Sequence, residues 1–180
     1  MTDPTQFESF VRDYQDMVYT TAFRLVGKET DAEDIAQEVF LRAYEHFGTL
    51  IESKTCGGWL KTVARNLSLN HLGRYRARWR FFSEFHREDE DEAFEAHLAS
   101  PEADAGTSWG ADQRELLDEA LLKLPDSQRI PLVLYHFEDM NYDEIAAQLK
   151  VSLGKVKTDI HRGREALRKR LATQLEELQA

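Results

Sequence analysis

The sequence has little of what a disulfide-rich, multi-thiolate zinc-binding or membrane-spanning protein needs. It contains one cysteine, Cys56, in 180 residues, which excludes an internal disulfide framework and a zinc site of several thiolates. Its longest apolar stretch, residues 131–135, is far shorter than the ~20 residues of a membrane span. Residues 1–4 lack the basic and apolar regions of a signal peptide. These absences predict a protein of the reducing cytoplasm that does not insert into a membrane.

Positive charge is also scarce overall, but its distribution is uneven. The 23 Lys and Arg residues against 33 Asp and Glu give a net charge of −10, which argues against a uniformly basic nucleic-acid binder. Segment 61–83 nevertheless has net charge +6 with no acidic residue, and segment 151–180 has net charge +3. Between them, segment 84–119 has net charge −11. Two basic blocks separated by an acidic one indicate two binding surfaces and a solvated spacer.

The acidic spacer covers residues 83–111 and includes the run Glu88–Glu92. Its apolar residues are too sparse to offset the entropy lost on ordering it. We therefore expect a flexible acidic linker between two domains, residues 1–82 and residues 112–180. A short helix docked on one domain is the alternative.

Outside the spacer the apolar residues follow a helical period, and no segment shows convincing strand alternation. We predict an all-α fold of two small helical domains. The first helix begins near Phe7 and should end at Gly27. Thr30–Glu33 has the pattern of a capping box that opens a second helix, which we expect to close at Gly48. The core arc of this second helix comprises Ala32, Ile35, Ala36, Val39, Phe40, Ala43 and Phe47.

The opposite face of the second helix combines apolar and acidic side chains. At 100° per residue, the residues that point away from the core arc are Asp34, Gln37, Glu38, Leu41, Tyr44 and Glu45. Leu41 and Tyr44 among carboxylates suit a partner-binding surface. A solvated face with two scattered apolar residues explains the pattern equally well.

A third helix, starting near Gly58, leads into a basic and aromatic segment. Four arginines of segment 74–80 are interleaved with Tyr75 and Trp79. Cations suit phosphates and flat rings suit exposed bases, so the segment resembles a surface for a nucleic-acid strand. An arginine-rich helix end is the alternative, but the absence of any acid across 61–83 favours nucleic acid.

The C-terminal segment predicts a helix-turn-helix. Asn141 caps a short helix, and a tight turn leads to Ser152, which caps a long helix reaching about Leu178. An inner apolar stripe runs from Val156 to Leu171 on the long helix. Outside the stripe lie side chains suited to DNA, as on a recognition helix: Lys155, Lys157, Thr158, His161 and Arg162.

Nothing in the sequence offers an active site. The six histidines, at positions 46, 71, 86, 97, 136 and 161, show no close metal-ligand spacing, and Cys56 has no evident histidine partner. We expect no catalytic residue, no metal and no cofactor. An enzyme that binds a metal through Glu88–Glu92 is an alternative, although a solvated acidic tract is the simpler interpretation.

A series of motifs in this order resembles the extracytoplasmic-function (ECF) sigma factors of bacterial RNA polymerase. TDAEDIAQEVFLRAY (30–44) is similar to the region 2 helix that docks on the polymerase clamp, and GWLKTVARNL (58–67) to the helix that meets the −10 element. LPDSQR (124–129) and YDEIA (142–146) resemble the start and core of region 4, and VKTDIHRGREAL (156–167) its recognition helix. The resemblance covers residues 7–80 and 112–172.

The resemblance implies partners and residues. Core RNA polymerase, through its clamp and flap, and promoter DNA would be the partners, together with an anti-sigma factor held between the two domains. The clamp would bind Asp34, Gln37, Glu38, Leu41 and Tyr44. The separated −10 strand would face Lys61, Arg65, Asn66, Asn70, Arg74 and Arg76, with an extruded base in the loop Thr49–Cys56. The duplex −35 element would face Lys155, Lys157, Thr158, His161 and Arg162, and the acidic linker would enter the polymerase channels.

The sequence departs from the family pattern at Asp159, where relatives carry a basic or neutral polar residue, and at Pro131, inside a helix that lacks proline in relatives. The expected function is promoter recognition and opening as a subunit of RNA polymerase, without catalysis by the chain itself. The alternative is a free-standing helix-turn-helix regulator that binds duplex DNA, in which the first domain would have no obvious role.

Overall fold

The computed structural model describes residues 3–85 and 110–180. For residues 74–85 it describes the backbone but not the side chains. Eight α-helices and no strand occur in this part of the chain, so the all-α prediction is confirmed. The chain divides into two compact units, Met1–Tyr75 and Arg76–Ala180, and the boundary falls within the helix Cys56–Phe85. Of the expected linker, residues 86–109 lie outside the described residues.

The first half of the chain forms α1 (Pro4–Val26), α2 (Glu29–Glu45), α3 (Phe47–Leu50) and α4 (Cys56–Phe85). The Asp3 carboxylate caps α1 by accepting a hydrogen bond from the Thr5 N–H at 2.9 Å. As predicted, α1 ends at Gly27, whose φ of 73° is a left-handed conformation that glycine adopts without strain. α1 packs along α2, and the buried core comprises Phe10, Val18, Ala22, Leu25, Ile35, Val39, Ala43, Phe47, Leu60 and Ala64.

Both ends of α2 differ from the prediction. α2 begins at Glu29, and its N-cap residue Lys28 makes no side-chain capping bond, so the predicted capping box at Thr30–Glu33 is wrong. Since Gly27 turns the chain within one residue, α2 starts at once, and two acidic residues in its first turn complement the helix dipole instead. The predicted end at Gly48 is also wrong: α2 stops at Glu45, and Phe47 reaches the core from α3.

The second half forms α5 (Ala111–Leu122), α6 (Asp126–His136), α7 (Tyr142–Leu149) and α8 (Leu153–Gln179). The buried core comprises Ala120, Leu121, Leu124, Ile130, Leu132, Val133, Leu134, Ile145, Leu149, Val156 and Ile160. α6 continues through the buried Pro131 to His136. Pro131 is the sixth residue of α6, so its missing N–H removes one helical hydrogen bond, the one to the Ser127 carbonyl.

The turn between α7 and α8 confirms the predicted helix-turn-helix. The Asn141 side chain accepts a hydrogen bond from the Glu144 N–H at 2.9 Å, and the Glu144 carboxylate accepts one from the Asn141 N–H at 2.8 Å. The two bonds form a complete capping box. Lys150 ends α7 in a left-handed conformation with φ 57°. Ser152 then caps α8 by accepting from the Lys155 N–H at 3.2 Å. α8 packs against α5, α6 and α7, so its N-terminal half is held rigidly beside this turn.

Candidate functional site

The outer face of α2 carries an exposed apolar pair. Leu41 is 59% exposed and Tyr44 is 51% exposed, which is unusual for side chains of their size. Asp34 and Gln37 on the same face are exposed, and Glu38 is half-buried. We name these five residues the α2 outer face. The buried stripe of α2 lies opposite, so the helix presents this face away from the core.

Contacts inside the first unit fix part of the α2 outer face. The Tyr44 ring meets the Phe7 ring edge to face, with centroids 5.0 Å apart, and Phe7 makes the same type of contact with Phe47 at 5.1 Å. Arg42 Nε lies 2.9 Å from Glu38 Oε1. Leu41 therefore lies between a ring held by α1 and an ion pair on its own helix. The ring contact with α1 therefore preorganises the Tyr44 side of this surface for a partner.

The α4 residues expected to face the −10 strand lie on two adjacent ridges of the helix. Thr62, Asn66 and Asn70, spaced four residues apart, are all exposed. Lys61 and Arg65 are half-buried on the neighbouring ridge, beside the buried ridge of Leu60, Ala64, Ser68 and Leu72. The structure therefore places two amides beside two cations. The side chains of Arg74 and Arg76 lie outside the described residues.

The loop expected to hold an extruded base is shaped by contacts that the sequence did not reveal. α3 occupies its beginning, and the Ile51 side chain after α3 is 46% exposed. Ser53 Oγ accepts from the Thr55 N–H at 3.2 Å. Cys56 Sγ lies 3.0 Å from Tyr14 Oη, which ties the end of the loop to α1 and raises the pKa of Tyr14. Tyr14 follows the apolar period of α1, but Cys56 follows none, so periodicity did not predict this contact.

The N-terminal half of α8 presents the five predicted DNA-facing residues outside its buried stripe. Val156, Ile160 and Gly163 point inward. Arg162 is exposed, whereas Lys155, Lys157, Thr158 and His161 are half-buried. Asp159 lies among them, with Oδ2 2.7 Å from Lys155 Nζ. His161 Nε2 lies 3.7 Å from Glu165 Oε1. The charges on this helix are thus partly paired within it.

A polar and aromatic cluster connects α6, α7 and α8. Arg164 Nε donates to His136 Nε2 at 3.0 Å, and the Arg164 guanidinium lies 5.3 Å from the centroid of the Tyr135 ring. Tyr135 stacks on Tyr142 with centroids 4.8 Å apart. Partial burial, and secondarily the Arg164 cation, lower the pKa of His136. Sequence periodicity gave no sign of this cluster because its members lie outside the apolar stripes.

The lowered pKa of His136 predicts a pH-dependent stability of the second unit. In the unfolded chain, His136 takes up a proton near its ordinary pKa of about 6.5, whereas in the folded chain the lowered pKa disfavours protonation. The free energy of unfolding should therefore fall as the pH drops below about 6.5. We expect the thermal midpoint to decrease between pH 7.5 and 5.5, and His136→Gln to reduce that decrease. Circular dichroism melts of both proteins measure the difference. Parallel curves for the two proteins would contradict the prediction.

A search of the described residues for metal-binding clusters and for membrane-spanning helices finds neither. Across residues 3–85 and 110–180, no group of three or more His, Cys, Asp or Glu side chains is arranged to hold a metal ion. Glu88–Glu92 lies outside that range. No helix in the described part of the chain is both long enough and apolar enough to span a bilayer.

Comparison with protein families finds two matches in the order of the two units. The family model for Sigma-70 region 2 matches residues 10–80, and the model for Sigma-70, region 4 matches residues 114–167. The first match includes the α2 outer face and the exposed ridge of α4. The second includes the helix-turn-helix and the N-terminal half of α8.

Curated relatives match along nearly the whole chain. The ECF RNA polymerase sigma factor SigW of Bacillus subtilis (strain 168) is 31% identical over 169 residues, covering 94% of this chain and 90% of that protein. The ECF RNA polymerase sigma factor SigE of Mycolicibacterium smegmatis is 38% identical over 167 residues, covering 92% and 62% respectively. The RNA polymerase sigma-E factor of Streptomyces coelicolor is 34% identical over 171 residues, covering 95% and 89%.

A solved structure also aligns with the chain. It is the co-crystal structure of the sigma factor RpoE with the anti-sigma factor NepR from Bartonella quintana. The TM-score is 0.48 at 23% sequence identity, and the alignment covers 93% of this chain and 97% of that one.

Proposed function

The chain belongs to the ECF RNA polymerase sigma factors, and from this premise we propose that it performs promoter recognition through three surfaces, one for polymerase and two for DNA. As a sigma factor it acts in transcription initiation. The observation that carries this function is the presence of sigma regions 2 and 4 in that order, the first mostly in the first unit and the second within the second unit. Members of the family regulate transcription and are not enzymes, so we infer that the chain has no catalysis of its own.

The α2 outer face is the proposed site for core polymerase. Its support is the exposure of Leu41 and Tyr44 beside carboxylates, because binding hot spots are apolar or aromatic anchors surrounded by polar residues. The Phe7–Tyr44 ring contact adds rigidity, which lowers the entropy lost on binding. These two observations favour a partner-binding surface over a solvated face for the outer side of α2.

The exposed ridge of α4 is the proposed site for the separated −10 strand. Asn66 and Asn70 can hydrogen-bond to base edges, while Lys61 and Arg65 on the next ridge supply charge for phosphates. We include Arg74 and Arg76 in the proposed −10 site from the sequence, because their side chains lie outside the described residues. The base that leaves the stack would be taken up by the loop Thr49–Cys56, where Ile51 offers apolar surface.

The N-terminal half of α8 is the proposed reader of the duplex −35 element. It is the second helix of a helix-turn-helix, the element that enters the major groove in such motifs. Arg162 is its most exposed cation among the five predicted residues. Lys157, Thr158 and His161 lie beside it, and Lys155 differs from them through its contact with Asp159.

The remaining parts of the proposal follow from the family. Residues 1–82 would form region 2 and residues 112–180 region 4, with residues 83–111 as the acidic linker in the polymerase channels. Because RNA polymerase works in the cytoplasm, we place the chain there. An anti-sigma factor that blocks the polymerase-binding surfaces is the proposed regulator.

Run-off transcription with purified core polymerase and a promoter library tests the proposal. Adding the full chain should yield transcripts that share one −10 sequence and one −35 sequence, whereas core polymerase alone should initiate at none of them. Absence of specific transcripts on every template would overturn the proposed function. Tight binding of the chain to duplex DNA with no effect of polymerase would instead support a free-standing regulator.

A further inference from the structure

Two opposite charges contact each other one turn apart near the start of α8. Lys155 Nζ donates to Asp159 Oδ2 at 2.7 Å, and the side chains are 28% and 13% exposed. An ion pair on a fully exposed helix surface restrains its side chains little. Here both groups are largely withdrawn from water, and the carboxylate more than the ammonium. The pair therefore holds Lys155 in a restricted position.

The paired lysine is poorly suited to bind a phosphate. A phosphate oxygen that approached Lys155 Nζ would also approach the Asp159 carboxylate, and their repulsion would cancel much of the attraction. A neutral acceptor meets no such repulsion. The ammonium has three N–H donors, so at least one can turn toward a neutral acceptor while Asp159 holds another. Guanine presents the neutral acceptors O6 and N7 in the major groove.

We propose that Asp159 is a positioning residue that holds Lys155 to read a guanine in the duplex bound by α8. The inference rests on the proposed function of α8 as the −35 reader and adds a specific base to it. Because Lys155 is already restrained, it loses less freedom on binding than a free lysine would. Because its charge is compensated, it contributes little to binding of arbitrary DNA. The pair thus favours specific over non-specific binding.

The test uses holoenzyme assembled from core polymerase and the full chain. A randomised duplex library first yields the preferred −35 sequence, and each guanine in it is then replaced by 7-deazaguanine, which lacks the N7 acceptor. One replacement should weaken binding of the wild type about 10-fold. The same replacement should weaken binding of Asp159→Asn only about 2-fold. Asp159→Asn should also steepen the salt dependence by about one unit, because the released Lys155 can then reach a phosphate.

Two variants provide controls. Glu165→Gln makes the same change of charge on the same helix, at a side chain that is 56% exposed, and should leave the guanine discrimination intact. Lys157→Ala should lower the salt dependence by about one unit, also without loss of discrimination.

Two results would overturn the proposal. One is retention of the full discrimination by Asp159→Asn. The other is loss of binding by the wild type, but not by Asp159→Asn, when a cytosine amino group is methylated, because Asp159 would then contact the base itself. Failure of the wild-type holoenzyme to select any −35 duplex would instead overturn the assignment of α8, and this inference with it.

Discussion

Replacing Leu41 with aspartate is expected to weaken binding of the chain to core RNA polymerase by about 30-fold or more, a loss typical of a hot-spot residue. Leu41 is 59% exposed, so in the free chain the change exchanges an apolar side chain for a carboxylate in water and should leave α2 intact. In the complex, the same carboxylate would be buried against polymerase without a partner. Fluorescence anisotropy of labelled chain titrated with core polymerase measures the loss.

Leu178→Asp is the matched control for Leu41→Asp. Leu178 is 68% exposed near the end of α8, outside all three proposed surfaces, so the same substitution should leave polymerase affinity within about twofold. Circular dichroism should give the same helix content for both variants and the wild type. Equal affinity of Leu41→Asp and the wild type would refute the assignment of the α2 outer face.

The helices and their buried faces could be predicted from the sequence because both depend on local features. Apolar spacing located the buried residues of α2 and of the N-terminal half of α8, although Ala36, Phe40 and Leu171 of the predicted stripes are only half-buried. Asn141 and Ser152 cap the predicted helices through bonds to residues only three positions away. The start of α2 was mispredicted because Thr30–Glu33 has the composition of a cap, while the actual start is imposed by the turn at Gly27. The capping pattern and the turn at Gly27 predict different starts for α2, and the observed start is the one that the turn predicts.

The charged details of the candidate sites could not be predicted because they depend on side-chain conformation. The spacing of four residues allows a contact between Lys155 and Asp159, but whether the contact forms depends on the side-chain conformations; the structure places Lys155 Nζ 2.7 Å from Asp159 Oδ2. The Phe7–Tyr44 contact joins residues of different helices, and apolar periodicity does not give the relative rotation of two helices. Such contacts decide which of the predicted residues are available to a partner.

Replacing Gly163 with leucine is expected to destabilise the second unit by about 2 kcal/mol, as overpacking of a close contact does. Gly163 is where α8 lies against α6: a Cβ there would meet the Gln128 carbonyl oxygen at 3.3 Å and Leu132 Cδ2 at 3.5 Å. The carbonyl belongs to a helix backbone and cannot move aside cheaply, and leucine adds three further carbons. The gain of about 1 kcal/mol from removing a helical glycine offsets only part of this cost. Hydrogen-exchange mass spectrometry should show faster exchange in α6 and α8, with α1 and α2 unchanged.

Gly154→Leu separates the packing at Gly163 from the general effect of replacing a glycine in α8. Apart from its chain neighbours and the backbone of its own helix, nothing lies within 4 Å of a Cβ built at Gly154, so leucine there should keep the exchange protection of α6 and α8 or raise it slightly. Gly163→Ala should fall between the two, because its single added carbon meets the same carbonyl oxygen but brings no further atoms. Since α8 can present its N-terminal half to DNA only while it is packed on α6, Gly163→Leu should also lose −35 binding at a temperature where the wild type retains it. Equal protection of Gly163→Leu and Gly154→Leu would show that this helix contact tolerates bulk.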